Sequence, residues 1–185
     1  ALIKQVDEQW GELDFLVHSL AYADTQDLSK PFSETLRDGF NKAMEISAYS
    51  LLPLAKGVIP MMRKRGGGSI VSMSFIGSTL AVPNYNVMGP AKAALESCTR
   101  YLARELGPEN IRINSLSPGA IRTLSSAGIK DISEMIRVAG EHSAMKRTAT
   151  QAEVANTAAF LLSDAASGIT GQLIYVDCGY SIMAN

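Results

Sequence analysis

Four short apolar runs, separated by stretches with helical spacing, restrict this chain to very few folds. They are residues 13–19 (LDFLVHS), 70–75 (IVSMSF), 110–116 (NIRINSL) and 171–177 (GQLIYVD). Strands joined through a helix pair in parallel, so the alternation predicts an α/β class protein with an open, doubly wound parallel sheet. The run at 13–19 has the continuous apolar character of a strand buried on both faces. Helices are expected at 1–9, 33–38, 40–62, from Tyr85 to about Leu106, at 131–139 and at 150–162, where Thr150 and Glu153 have capping-box spacing. Gly66-Gly67-Gly68 precedes a strand instead of opening a helix, which suits a turn better than a phosphate cradle. In open sheets ligands bind beyond the C-terminal strand ends. Here those ends lead into loops 19–23, 75–85, 117–125 and 178–181, and the first three are expected to share one cleft.

Tyr85 and Lys92 are the candidate chemistry in that cleft. On a continuous helix a spacing of seven returns Lys92 to within about 20° of Tyr85, roughly 10 Å further along the axis. A phenol near a fixed ammonium is a neutral proton donor at pH 7, suited to a reaction that builds negative charge on a substrate oxygen. Spacing alone leaves open that Tyr85 is a packing residue and Lys92 a solvated one.

Composition narrows the remaining classes. A chain of 185 residues is expected to form a single domain, 1–185, with a substantial core. Net charge −1 offers no electrostatic footprint for nucleic acid, and no run of eighteen apolar residues suggests a membrane span. Cys98 and Cys178 lie far apart without metal-ligand spacing, as do His18 and His142, so no metal site is expected and reduced thiols fit a cytoplasmic protein.

From Asp14 onward the chain resembles the short-chain dehydrogenase/reductase superfamily, through INSLSPGAIRT (113–123), EVANTAAFLLSD (153–164) and GQLIYVDCG (171–179). Within it, PNYNVMGPAKAALE (83–96), IRTLSSAGIKD (121–131) and HSLAYA (18–23) resemble the bacterial NADH-dependent enoyl-[acyl-carrier-protein] reductases of fatty-acid synthesis. There tyrosine and lysine stand seven apart, where most of the superfamily has four. The resemblance implies a Rossmann-like domain that passes hydride from NADH to C3 of a trans-2-enoyl thioester, with Tyr85 hydrogen-bonding the thioester carbonyl. It implies that Lys92 holds the nicotinamide ribose, that Ser19, Leu20, Ile121, Arg122, Thr123, Leu124 and Ser125 lie against the cofactor, and that Ala23, Phe75, Tyr85, Met88 and Ile129 contact the substrate. It further implies a homotetramer acting on an acyl carrier protein. Residues 121–139 are expected to close over the acyl chain, and Lys130 and Arg137 to attract the carrier protein unless they are merely solvated charges.

Two departures accompany the resemblance. Phe75 stands where the family has a second tyrosine, so the ring remains and the hydroxyl is lost. The glycine-rich loop and first strands of the family are absent before Ala1, which makes the sheet incomplete and suggests a piece of a longer chain. The competing expectation is a non-catalytic homologue that binds an acyl chain or partner without turnover.

Overall fold

The computed structural model describes residues 2–123, 126 and 131–184. Strands β1 (Phe15–His18), β2 (Gly68–Met73), β3 (Ile111–Pro118) and β4 (Leu173–Val176) form one parallel sheet in chain order. The helices are α1 (Leu2–Trp10), α2 (Thr25–Ser29), α3 (Arg37–Met44), α4 (Leu51–Lys64), α5 (Met88–Leu106), α6 (Ile132–His142) and α7 (Gln151–Leu162).

Strand alternation distributes these helices over both faces. Ile70, Ile111 and Ile113 point to one face and pack with Met62 of α4 and Leu95 and Leu106 of α5, while Ile3 and Val6 of α1 close the outer side. Val71 and Leu116 point to the other, where Val154 and Leu161 of α7 cover them. Thr150 caps α7 through the reciprocal bonds of a capping box with Glu153. Between α5 and the sheet lies a closed triangle of buried hydroxyls: Ser72 and Ser115 are 2.8 Å apart, and Thr99 lies 3.2 Å from Ser72 and 3.0 Å from Ser115.

The structure corrects several expectations. β1 is not buried on both faces: Leu16 packs against the α4 side, whereas Phe15 and Val17 are exposed on the opposite side, where α7 packs on the other strands. The segment 33–38 is a 3₁₀ turn (Phe32–Glu34) followed by the start of α3. The helix expected at 40–62 is interrupted by a π-helical turn, Glu45–Tyr49, a form that no 3.6-residue period reveals. Tyr85 precedes α5 instead of opening it. Pro90 therefore falls in the first turn of α5, where its missing N–H costs no helix bond.

Candidate active site

Beyond the C-terminal ends of β1, β2 and β3 lies a cleft of about 470 Å³ whose wall includes Ser19, Ala23, Phe75, Tyr85, Met88 and Lys92. Tyr85 and Lys92 do share it, although by a different route from the continuous helix expected. Val87 leads from the turn into α5, and Asn84 and Asn86 on either side of Tyr85 hold left-handed backbone (φ 60° and 37°), a conformation asparagine tolerates better than most residues. The Asn86 amide donates to the carbonyls of Asp27, Leu28 and Lys30 at 2.7–3.2 Å, clasping the tyrosine turn to α2. Tyr85 is thus fixed by turn geometry and a loop-to-loop clasp.

Gly77 makes room for the ring. A Cβ there would lie 2.4 Å from Cδ1 and 2.7 Å from Cε1 of Tyr85. Gly77→Ala is expected to tilt the phenol and lower turnover roughly tenfold with little change in thermal midpoint, since small misplacements of a reacting group are costly. Steady-state rates beside a melting curve check this. The Phe75 ring packs on Tyr85 at 4.8 Å between centroids, inclined by 57°.

The electrostatics of the site follow from burial. Tyr85 is 7% exposed, and desolvation, with the Glu96 carboxylate adding to it, pushes its pKa well above the ordinary tyrosine value. It is a neutral donor at pH 7, and among the described residues nothing hydrogen-bonds its hydroxyl. Lys92 is 5% exposed; desolvation pulls its pKa down to about 8, against an opposing pull from Glu96. Its ammonium donates to the Met73 carbonyl at 2.7 Å. His18 is held neutral, its pKa lowered to about 4 by burial and then by the charge of Lys92, and its Nε2 pairs with the Ser50 hydroxyl at 2.8 Å.

Most other residues expected in the site line the same cleft: Ile121 and Thr123 follow β3, and Met88 opens α5. Leu20 is exposed and does not line it. Arg122 turns elsewhere, donating to the Ser133 hydroxyl at 2.7 Å while its carbonyl accepts from Gln151. Leu124, Ser125, Ile129 and Lys130 lie outside the described residues, as do Ala127 and Gly128 of the expected lid, whereas its later part is the start of α6. Arg137 is engaged within α6 by Glu134 and Glu141 at 2.6 and 2.5 Å, which weakens its case as a docking charge.

Two contributors escaped the sequence reading. Ser47, in the π turn, accepts from the Tyr22 amide at 2.9 Å and donates to its carbonyl at 3.1 Å, fixing the loop after β1. Glu96 is buried and accepts from the Ser74 hydroxyl. In sequence it reads as an ordinary helical surface charge, and only its offset of four from Lys92 signals otherwise. On the far side of Phe75 a second hollow of about 460 Å³ shares Phe75, Gly119 and Met135 with the cleft and is walled by apolar groups including Ile76, Val82 and Val138.

The donor set suits a nicotinamide-ribose group. An ammonium has three donors, and Lys92 uses one on Met73 within the cleft, leaving two for vicinal hydroxyls.

The chain as a whole is similar to several known proteins. A family profile described as Enoyl-(Acyl carrier protein) reductase matches residues 1–181. The chain is 53% identical over 183 residues to the enoyl-[acyl-carrier-protein] reductase [NADH] FabI of Synechocystis, covering 99% of this chain and 70% of that protein. It is 46% identical to the Bacillus subtilis protein of the same name, covering 97% and 69%. Among solved structures, FabI of Candidatus Liberibacter asiaticus superposes with a TM-score of 0.95 at 41% identity, and the Anaplasma phagocytophilum reductase in complex with NAD with 0.94 at 40%; each covers 100% of this chain and 70% of the other. The chain belongs to the enoyl-(acyl carrier protein) reductase family.

Proposed function

We propose that Tyr85 and Lys92 carry the chemistry of an NADH-dependent enoyl-[acyl-carrier-protein] reductase, an oxidoreductase of fatty-acid biosynthesis. The observation that carries this reading is the convergence of a buried phenol, engaged by no described residue, and a buried ammonium on one cleft at the strand ends. NADH, when bound, supplies the hydride that adds to C3 of the trans-2-enoyl thioester. As C3 gains that electron pair, charge moves to the thioester oxygen, and the Tyr85 hydroxyl donates to that oxygen. Lys92 would hold the ribose hydroxyls of the bound cofactor with the donors that the Met73 carbonyl leaves over, and its positive charge would stabilise the developing enolate. A proton added at C2 then completes the saturated thioester. Ser19, Ile121 and Thr123 line the cofactor side of the cleft, while Ala23, Phe75 and Met88 face the acyl group. The hollow behind Phe75 suits the distal acyl chain, because its walls are mainly apolar.

Loss of NADH absorbance on adding a crotonyl thioester tests the reaction. No oxidation at saturating substrate, with acyl thioester binding retained, would favour a non-catalytic homologue.

The remaining proposals concern organisation. Residues 1–185 act as one domain, the part of the dinucleotide-binding fold that bears the catalytic side chains, in a cytoplasmic homotetramer that accepts its substrate from an acyl carrier protein. Exposed aromatic and aliphatic groups support assembly: Tyr101 on α5 is 73% exposed and Ile182 near the C-terminus 79%. Sedimentation is expected to show a species of four chains, and a stable monomer at micromolar concentration would refute the assembly. Among the described residues no helix is long and apolar enough to cross a membrane.

A further inference from the structure

Glu96 is a buried titratable group to which the mechanism gives no task. It lies one turn after Lys92 on α5, on the side that faces the sheet, and accepts from Ser74, which lies just beyond β2. Thr99, three residues further on, belongs to the hydroxyl triangle with Ser72 and Ser115. The underside of α5 is thus a polar seam running from Lys92 through Glu96 to Thr99.

A carboxylate is costly to bury, and a single serine hydroxyl is modest compensation. Its place one helical turn from a buried ammonium accounts for it: Glu96 is held by Ser74 and Lys92 by the neighbouring Met73 carbonyl, so both groups meet the same end of β2. We propose that Glu96 is a positioning residue that acts through Lys92, keeping the buried ammonium charged and turned toward the cleft without itself touching substrate. The inference rests on the assignment of Lys92 to the cofactor.

Among the described residues the charged and titratable groups around Lys92 are few. Glu96 lies on its own helix, His18 approaches from β1, and Tyr85 comes from the turn before α5. His18 is neutral above pH 6, and Tyr85 stays protonated throughout the relevant range. Among the described residues Glu96 is therefore the acidic group that opposes the desolvation of Lys92. Ser74 holds that charge in place from the strand side, so that a rotation of the carboxylate away from Lys92 would sacrifice a buried hydrogen bond.

The test separates charge from shape. Glu96→Gln keeps the volume and an oxygen that can accept from Ser74, but removes the charge. The titration midpoint of Lys92, followed by the 13C resonance of its Cε and assigned by its loss in Lys92→Met, is expected to fall by on the order of one pH unit. The pH at which NADH binding weakens, read by fluorescence titration, is expected to fall with it, costing about fivefold in affinity at pH 8 and approaching tenfold above about pH 9. Glu96→Asp, which retains the charge on a shorter arm, should recover part of both shifts and guards against a glutamine variant that folds poorly. A purely structural tie between α5 and β2 would leave the Lys92 midpoint unmoved in Glu96→Gln, and that result overturns the proposal. A midpoint that moves while NADH binding keeps its original pH dependence would instead remove Lys92 from the cofactor site.

Discussion

Tyr85→Phe is expected to lower turnover about a hundredfold while leaving NADH affinity unchanged. A preorganised donor aimed at developing negative charge contributes on the order of 3 kcal/mol, which sets that factor. Phenylalanine keeps the ring that fills the space above Gly77 and packs on Phe75, so the loss isolates the hydroxyl. Burial also raises the pKa of that hydroxyl above the ordinary tyrosine value, so the rate should show no limb from Tyr85 itself at neutral or mildly alkaline pH. Phe75→Tyr provides the comparison. It restores the second hydroxyl of the family at 4.8 Å between ring centres, yet should alter turnover by no more than a few-fold, because Tyr85 already lines the cleft with a donor that no described residue engages. Rates for the two variants with a crotonyl thioester decide between the positions. Near-full activity in Tyr85→Phe together with a strong gain in Phe75→Tyr would move the catalytic donor to position 75.

Lys92→Met is expected to weaken NADH binding by on the order of a hundredfold and to slow turnover roughly tenfold as well. The first figure corresponds to two charge-assisted hydrogen bonds of about 1.5 kcal/mol each, the lower end for such bonds. Methionine fills a similar volume, so the buried stem is replaced without opening a cavity. The same residue predicts a pH dependence with a definite sign. The pKa of Lys92 is lowered to about 8, so the ammonium is present below that pH and lost above it, and NADH affinity should decline as pH rises through about 8. Titrations between pH 6 and pH 10 would read the limb, and Lys92→Met should abolish it. A wild-type affinity that stays flat across this range would contradict the assignment.

How much of this was legible depended on whether a feature is written in local periodicity. All four strands and the capped helix α7 were, because each combines a pattern with a boundary signal: Gly107-Pro108 between α5 and β3, or Thr150 with Glu153 at the start of α7. The pairing of Tyr85 with Lys92 was also visible, although the reason first given for it, a continuous helix, was wrong. The turn at Asn84 and Asn86 delivers Tyr85 to the same cleft through left-handed backbone and the clasp to α2, neither of which a spacing rule encodes. The π turn and Ser47 stayed hidden because an extra residue in one helical turn leaves composition unchanged. β1 misled for a related reason: its run of apolar residues does not state which face a helix covers, and Phe15 and Val17 are open on one side. Glu96 was missed because charge on a helix usually means solvent, and only tertiary packing shows the exception.

The hydroxyl triangle of Ser72, Thr99 and Ser115 determines how tolerant α5 is to change. Three hydroxyls in a ring can each donate once and accept once, so the set needs neither water nor a counter-charge. If α5 slid by one residue, its apolar contacts through Leu95 and Leu102 could be remade by neighbouring alanines and leucines at modest cost, but the triangle would open and strand buried oxygens at about 1–3 kcal/mol each. The axial position of the helix, and with it the depth of the Lys92 ammonium, is therefore specified by polar matching more sharply than by the oily contacts around it. Exchange of Leu102 or Leu106 for another apolar residue of similar volume leaves the triangle closed, whereas a serine-to-alanine exchange at the triangle loosens the gauge that sets the ammonium.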